Sequence, residues 1–306
     1  MTTSSTLFLN HFRSILSRFP KSPFISARSA DGLKPAPTIV IDLDETVLYR
    51  TRGLIDAITL YAAPNSSFAD RVGEPYAGAH EALLHLSTRF RIVAVTARWG
   101  GRAGKPTERW LEKHGFRGLP LVLASGLHPQ DKTRVGYKIA AVKLLQSEGW
   151  EPVVGIGDRP SDLEAYSATG LESVMVAHSQ GASSESALHA LRDVFHAETQ
   201  LSMSLQRKNV FYISDSHRVH ETYASQNGLK HRPNIKSLPL NEIQPVWTQV
   251  RRLIDERASS LGGGYSSLEN SDGKAANWEE EAVSPLDKLT LAKLSSSLKK
   301  DVAHQR

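Results

Sequence analysis

The chain contains no cysteine. That absence removes disulfide frameworks, thiolate zinc sites and cysteine nucleophiles together, and it leaves any metal to be held by oxygen or imidazole. Long apolar runs are also lacking. The longest are short and interrupted, as in Thr38-Ile39-Val40-Ile41 and Pro152-Val153-Val154-Gly155-Ile156, so no segment approaches the roughly 20 residues that a spanning helix requires, and no transmembrane segment is expected. Acidic residues are missing from the first 30 positions, which hold Arg13, Arg18, Lys21 and Arg28. Those cations account for most of the formal net charge of +5 and the pI near 9.3, so the basic balance does not by itself point to nucleic acid.

The same N-terminal stretch is rich in Ser and Thr, and Leu7 to Phe19 spaces apolar residues and arginines so that a helix there is amphipathic. This is the composition of a mitochondrial or plastid transit peptide; the alternative is a leader that merely lacks acids, with the protein cytoplasmic. Asn10, His11 and Arg13 interrupt the apolar run and argue against a secretory signal.

With 306 residues, 40% of them hydrophobic, the chain is long enough for one sizeable core plus appendages. From Pro37 to about Ala177, short β-branched runs alternate with longer helical patterns, which predicts a parallel sheet with crossover helices. The expected strands are Thr38 to Leu43, Arg91 to Val95, Leu119 to Leu123, Pro152 to Ile156 and Ser173 to Val176. The expected helices lie near Ala79 to Ser87, Pro106 to His114, Tyr137 to Ser147 and Ser161 to Ala168. Ligands of such sheets bind beyond the carboxyl ends of the strands, so functional residues are expected just after each strand. Farther on, Ser184 to Thr199 and Leu240 to Arg257 read as helices, Leu261 to Asp287 as a flexible acidic linker, and Pro285 to Lys300 as a short terminal helix.

The first strand runs into Asp42-Leu43-Asp44-Glu45-Thr46, two carboxylates one residue apart at the end of an apolar strand. Burying both without a counter-charge is costly, so they call for a cation. The second strand ends at Thr96, followed by Ala97 and Arg98. Lys138 stands at the start of the helix before the fourth strand, and that strand ends in Gly157-Asp158-Arg159-Pro160-Ser161-Asp162. Phosphoryl transfer uses such a set. A carboxylate attacks phosphorus once Mg²⁺ has offset the repulsion between two anions. A threonine hydroxyl donates to a phosphoryl oxygen, and a lysine adds compact positive charge. One further carboxylate, Asp44, serves to protonate the leaving group and later to deprotonate the attacking water. Asp158 and Asp162 complete the metal site from the opposite loop.

The ordered set Asp42-x-Asp44-x-Thr46, Thr96, Lys138 and Gly157-Asp158-x-x-x-Asp162 resembles the four motifs of the haloacid dehalogenase (HAD) superfamily over about 120 residues. The resemblance implies a three-layer HAD-type (Rossmannoid) parallel sheet with helices on both faces, a minimal cap and a mainly helical C-terminal extension. It implies Asp42 as nucleophile and Mg²⁺ ligand, Asp44 as acid/base whose backbone carbonyl also binds the metal, Asp158 as a further ligand, and Asp162 as a ligand directly or through water. Asp42 to Leu48, Tyr137-Lys138, Glu148-Gly149-Trp150 and Ser161-Asp162-Leu163 are similar to the acid-phosphatase branch that includes plant vegetative storage proteins. Arg159-Pro160-Ser161-Asp162 resembles the lipin-type phosphatidate phosphatases. About 50 residues separate Asp44 from Thr96 and about 40 separate Thr96 from Lys138, too few for a large cap, so an open site is expected, with Arg50 to Tyr76 or the C-terminal region as its lid. The expected organisation is a leader and linker over residues 1–35, a catalytic core over 36–180, a helical extension over 181–260, and a linker with a terminal helix over 261–306.

Some positions admit rival readings. Lys132 and Lys143 compete with Lys138, which is preferred because it begins the helix feeding the Asp158 strand. Thr46, Arg98 and Arg159 are candidate contacts to substrate phosphate, although either arginine also reads as an ion-paired surface residue. His217 and His220 beside Glu221 have metal-ligand spacing but read as surface histidines. Gly100-Gly101-Arg102-Ala103-Gly104-Lys105 is read as a flexible turn, since Pro106 occupies the place a phosphate loop reserves for Ser or Thr. Arg207, Lys208, Lys230, Arg232, Lys236, Arg251 and Arg252 make the region after 200 moderately basic. A nucleic-acid-end phosphatase or RNA-processing enzyme using that surface is the runner-up. A non-catalytic scaffold with a relic Asp pair is the reading from another class.

Overall fold

The computed structural model describes residues 4–27, 35–49, 73–124, 131–179, 210–215 and 244–261. Thr38-Ile39-Val40-Ile41 forms β1 (Thr38–Ile41), and all four side chains are buried. An apolar run without alternation suits a strand covered on both faces. Around it the order is β5-β4-β1-β6-β7-β8, every pairing parallel. The partners are β4 (Arg91–Trp99), β5 (Leu121–Ala124), β6 (Pro152–Gly157), β7 (Glu172–Ala177) and β8 (Val210–Ser214). A small antiparallel pair, β2 (Leu48–Tyr49) and β3 (Glu74–Pro75), stands beside this sheet. The order reverses at β1, whose two neighbours are β4 and β6, so their carboxyl ends open a crevice there.

The helices are α1 (Ser4–Arg18), α2 (Pro23–Ser26), α3 (Ala79–Leu86), α4 (Gly100–Lys113), α5 (Asp131–Ser147), α6 (Pro160–Ala168) and α7 (Val246–Arg257). Two apolar clusters are separated by the sheet. One joins Ile39, Ile41, Leu83, Trp110 and Trp247; the other joins Val40, Val93, Val142, Leu145 and Tyr166. Alternate residues of β1 thus point to opposite layers, the three-layer arrangement expected from the sequence.

Two expectations need correction. Helix α4 begins at Gly100, six residues before Pro106, and the glycine run is its first turn and a half. A Cβ on Gly100 or on Gly104 would lie 3.3 Å from the Leu123 side chain, so these glycines let the helix press against β5. Next, β8 lies in a segment expected to be helical and adds a sixth strand. The N-terminal amphipathic helix packs onto the core among the described residues. Phe12 and Ile15 are 1% and 3% exposed, Phe12 meets the Trp150 ring edge-on at 5.3 Å, and Arg13 and Arg18 pair with Glu148 and Glu108 at 2.8 and 2.6 Å.

The helix expected over Ser184 to Thr199, the acidic linker, the terminal helix at Pro285 to Lys300 and the lid stretch from Arg50 to 72 lie outside the described residues. So do His217, His220, Glu221, Arg207, Lys208, Lys230, Arg232 and Lys236. No described helix is long and apolar enough to cross a membrane.

Candidate active site

Asp42 is the first residue after β1, and its N–H donates to the Ile156 carbonyl of β6 at 2.9 Å. Its side chain is 7% exposed. Asp158 follows β6, and Asp162 sits in the first turn of α6. One carboxylate oxygen from each of Asp42, Asp158 and Asp162 falls within 4.8 Å of the others. This convergence needs Gly157, because a Cβ there would lie 2.5 Å from the Asp162 carboxyl carbon.

Lys138 projects from α5 into the same place. Its ammonium lies 3.3 Å from an Asp42 oxygen and donates to Asp162 Oδ1. The other Asp162 oxygen accepts the Arg159 backbone N–H at 3.0 Å, so the residue caps its own helix while holding the lysine. Of the rival lysines, Lys143 is exposed and the Lys132 side chain lies outside the described residues. The earlier start of α5, at Asp131, places Lys138 about two turns in rather than at the helix start.

The electrostatics are those of an anionic pocket. Burial pushes Asp42 up to about 6, an effect that Lys138 counters and that Asp162 and Asp44 reinforce. Burial, with Asp162 and Asp42, likewise holds Asp158 well above the usual carboxylate range. For Lys138 burial would lower the value, but Asp162 and Asp42 outweigh it and hold the ammonium charged above its ordinary range. One ammonium faces three carboxylates. Hard oxygen donors with a surplus of negative charge fit a small divalent cation, so the residues present suit a magnesium-sized ion.

The Asp44 carboxylate lies outside this cluster of three. Arg98 grips it through Nε at 2.9 Å and a terminal nitrogen at 2.8 Å, while its other terminal nitrogen donates to Thr107 Oγ1 at 3.0 Å. Arg98 is 2% exposed, so its guanidinium is turned inward onto Asp44. Thr96, 1% exposed, accepts the Arg98 backbone N–H at 3.3 Å. Thr46 donates to Asp158 Oδ1 at 3.3 Å. The Arg159 side chain is at the rim, 42% exposed and 3.8 Å from Asp158.

The turn after the Asp pair is bound by residues that the sequence patterns did not mark. Glu45 adopts φ 61°, a left-handed conformation that is strained for a residue with a Cβ. Tyr76 donates to its carboxylate at 3.0 Å and stacks on the His178 ring at 3.4 Å. His178 Nε2 and Trp247 Nε1 each lie 3.1 Å from the Thr46 carbonyl. Burial pushes the His178 imidazole down to about 3, only partly offset by that hydrogen bond, so it is neutral. His178 follows β7 directly, and the strand-end logic that singled out Asp42 and Asp158 applies to it. Trp247 carried no such signal, since a tryptophan on an amphipathic helix reads as core.

A reversing parallel sheet thus carries a cluster of carboxylates and a lysine at its switch point. The profile of the HAD superfamily, subfamily IIIB (acid phosphatase), matches residues 21–184, more than half of the chain, and the chain belongs to that family; it is a phosphatase. No curated protein sequence matches it. Similar solved structures include a D,D-heptose 1,7-bisphosphate phosphatase from B. bronchiseptica complexed with magnesium and phosphate (14% identity, TM-score 0.34, 55% of this chain and 99% of that one). Another is a haloacid dehalogenase-like hydrolase from Streptococcus pneumoniae (12% identity, TM-score 0.38, 62% of this chain and 97% of that one).

Proposed function

We propose that the protein is a Mg²⁺-dependent phosphomonoester hydrolase that works through an aspartyl phosphate on Asp42. The observation that carries this reading is the convergence of Asp42, Asp158 and Asp162 around one point beside the Lys138 ammonium. When bound, Mg²⁺ supplies charge neutralisation between the anionic nucleophile and the anionic phosphoryl group. Asp42, Asp158 and Asp162 are the side chains that would hold it.

An Asp42 carboxylate oxygen attacks phosphorus, the bond to the leaving oxygen breaks, and Asp44 gives that oxygen a proton. Water then attacks the phosphorus of the acyl phosphate, Asp44 takes its proton, inorganic phosphate departs and Asp42 is restored. Lys138 stabilises the charge on Asp42 and on the transferring group. Thr96 is the hydroxyl proposed to donate to a phosphoryl oxygen, Thr46 acts through its contact to Asp158, and Arg159 is the rim cation proposed to reach the substrate.

The test is Mg²⁺-dependent phosphate release by the full chain and its Asp42→Asn variant. The panel holds sugar phosphates, nucleotides, phospholipids and phosphorylated oligonucleotides. Borohydride quenching during turnover, followed by peptide mass analysis, should convert the Asp42 acyl phosphate to homoserine, whereas turnover in H₂¹⁸O should label only the released phosphate, because water attacks phosphorus. Turnover that survives Asp42→Asn rejects the mechanism, and Asp42→Asn without effect on cellular function supports the scaffold instead. An organellar address for residues 1–30 is a separate proposal, tested by import of a reporter carrying them.

A further inference from the structure

Helix α7 lies beyond the residues matched to the family, 21–184. Its buried face, Val246, Trp247, Val250, Leu253 and Ile254, joins the same apolar cluster as Leu83 and Leu86 of α3. Apolar burial alone would explain a helix there. It does not explain where the one polar atom of Trp247 goes. The indole is 0% exposed, and its N–H reaches across 201 residues of chain to the carbonyl of Thr46, at 3.1 Å.

That carbonyl belongs to the turn that carries both catalytic aspartates, and the turn is strained at Glu45. A left-handed conformation of a residue with a side chain persists only where its surroundings fix it. Here Thr46 is fixed at both ends: its carbonyl by Trp247 and His178, its hydroxyl by Asp158 at 3.3 Å. The chain of contacts therefore runs from α7, through the Thr46 backbone, to one of the three clustered carboxylates.

We propose that Trp247 is a positioning residue of the phosphatase site: its indole N–H sets the Thr46 carbonyl, and through Thr46 the placement of Asp158 relative to Asp42, so that the C-terminal helix is a working part of the divalent-cation site. The proposal rests on the reading of Asp42, Asp158 and Asp162 as metal ligands. Partners that orient ligands typically change metal affinity by roughly 10- to 100-fold when removed.

The test compares Trp247→Phe, which keeps a buried aromatic ring and removes the N–H, with Val250→Ala on the same buried face, which loosens packing but leaves the Thr46 contact. Full-length proteins are titrated calorimetrically with MgCl₂, and kcat and KM are measured with p-nitrophenyl phosphate. Trp247→Phe is expected to bind Mg²⁺ roughly 10-fold more weakly and to lose kcat by a similar factor with KM little changed. Val250→Ala, with an equal or larger drop in Tm, is expected to keep both. Unchanged Mg²⁺ affinity and kcat in Trp247→Phe overturn the proposal, as does a parallel loss in Val250→Ala. A parent protein that binds no divalent cation overturns the metal-site reading itself and this inference with it; a parent that binds Mg²⁺ beside an unaltered Trp247→Phe overturns this inference alone.

Discussion

Arg98 holds both carboxylate oxygens of Asp44, at 2.9 and 2.8 Å, and is itself braced by Thr107 at 3.0 Å. Asp44 is the group proposed to move protons, and this fork fixes where its oxygens point. Lysine cannot reproduce a two-point grip. Arg98→Lys is therefore expected to lower kcat by about 10- to 100-fold with modest loss of stability. Arg98→Met leaves a partly buried carboxylate without this counter-charge and is expected to cost up to about 3 kcal/mol. Steady-state kinetics and denaturant midpoints on both variants check this; an Arg98→Lys enzyme with the parent kcat removes Arg98 from the account.

A buried anionic cluster is unfavourable until it is neutralised, so the site costs the metal-free protein stability. The raised Asp42 carboxyl favours the folded state below its ordinary value of 3.8 and withdraws that favour as pH rises toward about 6. In chelator at pH 8, Asp42→Asn should consequently be more stable than the parent by about 1–3 kcal/mol, with the difference closing near pH 4. Saturating Mg²⁺ should reverse the order, because it stabilises only the protein that binds it well. Urea unfolding at both pH values measures this, and a variant less stable than the parent at pH 8 in chelator contradicts it.

His178 acts in the opposite direction. Its imidazole, depressed from 6.5 to about 3, contributes stability that is fully present above pH 6.5 and is lost as pH falls toward 3, because the unfolded chain takes up the proton first. The loss amounts to about 1.4 kcal/mol per pH unit within that window. In an Asp42→Asn background, where the opposing carboxyl is absent, His178→Gln should flatten the acid limb of stability by nearly one proton. An unchanged slope would show that His178 is charged in the folded state.

Much of the architecture was legible because burial on both faces of a parallel sheet writes itself as short apolar runs, as in β1, β6 and β7. Asp42, Asp158 and Asp162 could be placed near one another because each falls at or just past a strand end. Strand β8 was not legible: Val210–Ser214 is short and lies within a stretch whose overall pattern reads as a helical extension. The start of α4 was hidden by glycines whose role is close packing on Leu123, a tertiary reason that overrides their local preference. Trp247 and Arg98 illustrate the same limit. Which atom a buried indole or guanidinium meets depends on elements 201 and 54 residues away, and no local pattern records that.

The N-terminal helix offers the last prediction. Composition made residues 1–30 look like a leader, yet Phe12, Ile15 and Phe24 are 1%, 3% and 0% exposed, and Phe12 shares its cluster with Val93, Val122 and Trp150. Removing an apolar side chain from such a site costs about 2–5 kcal/mol, and domains have only about 5–15 kcal/mol in total. A chain beginning at residue 31 loses three such side chains, along with the Arg13–Glu148 and Arg18–Glu108 pairs. It should therefore be poorly soluble or melt more than about 10 °C below the full chain. Phe12→Ala is expected to cost about 3–5 kcal/mol, whereas Arg13→Ala, which removes only an exposed pair, should cost under about 1 kcal/mol. Differential scanning fluorimetry on the three proteins separates the alternatives: a truncated chain with the parent Tm would return residues 1–30 to the status of a removable leader, and a collapse that Phe12→Ala reproduces in part would make α1 a structural element of the folded enzyme.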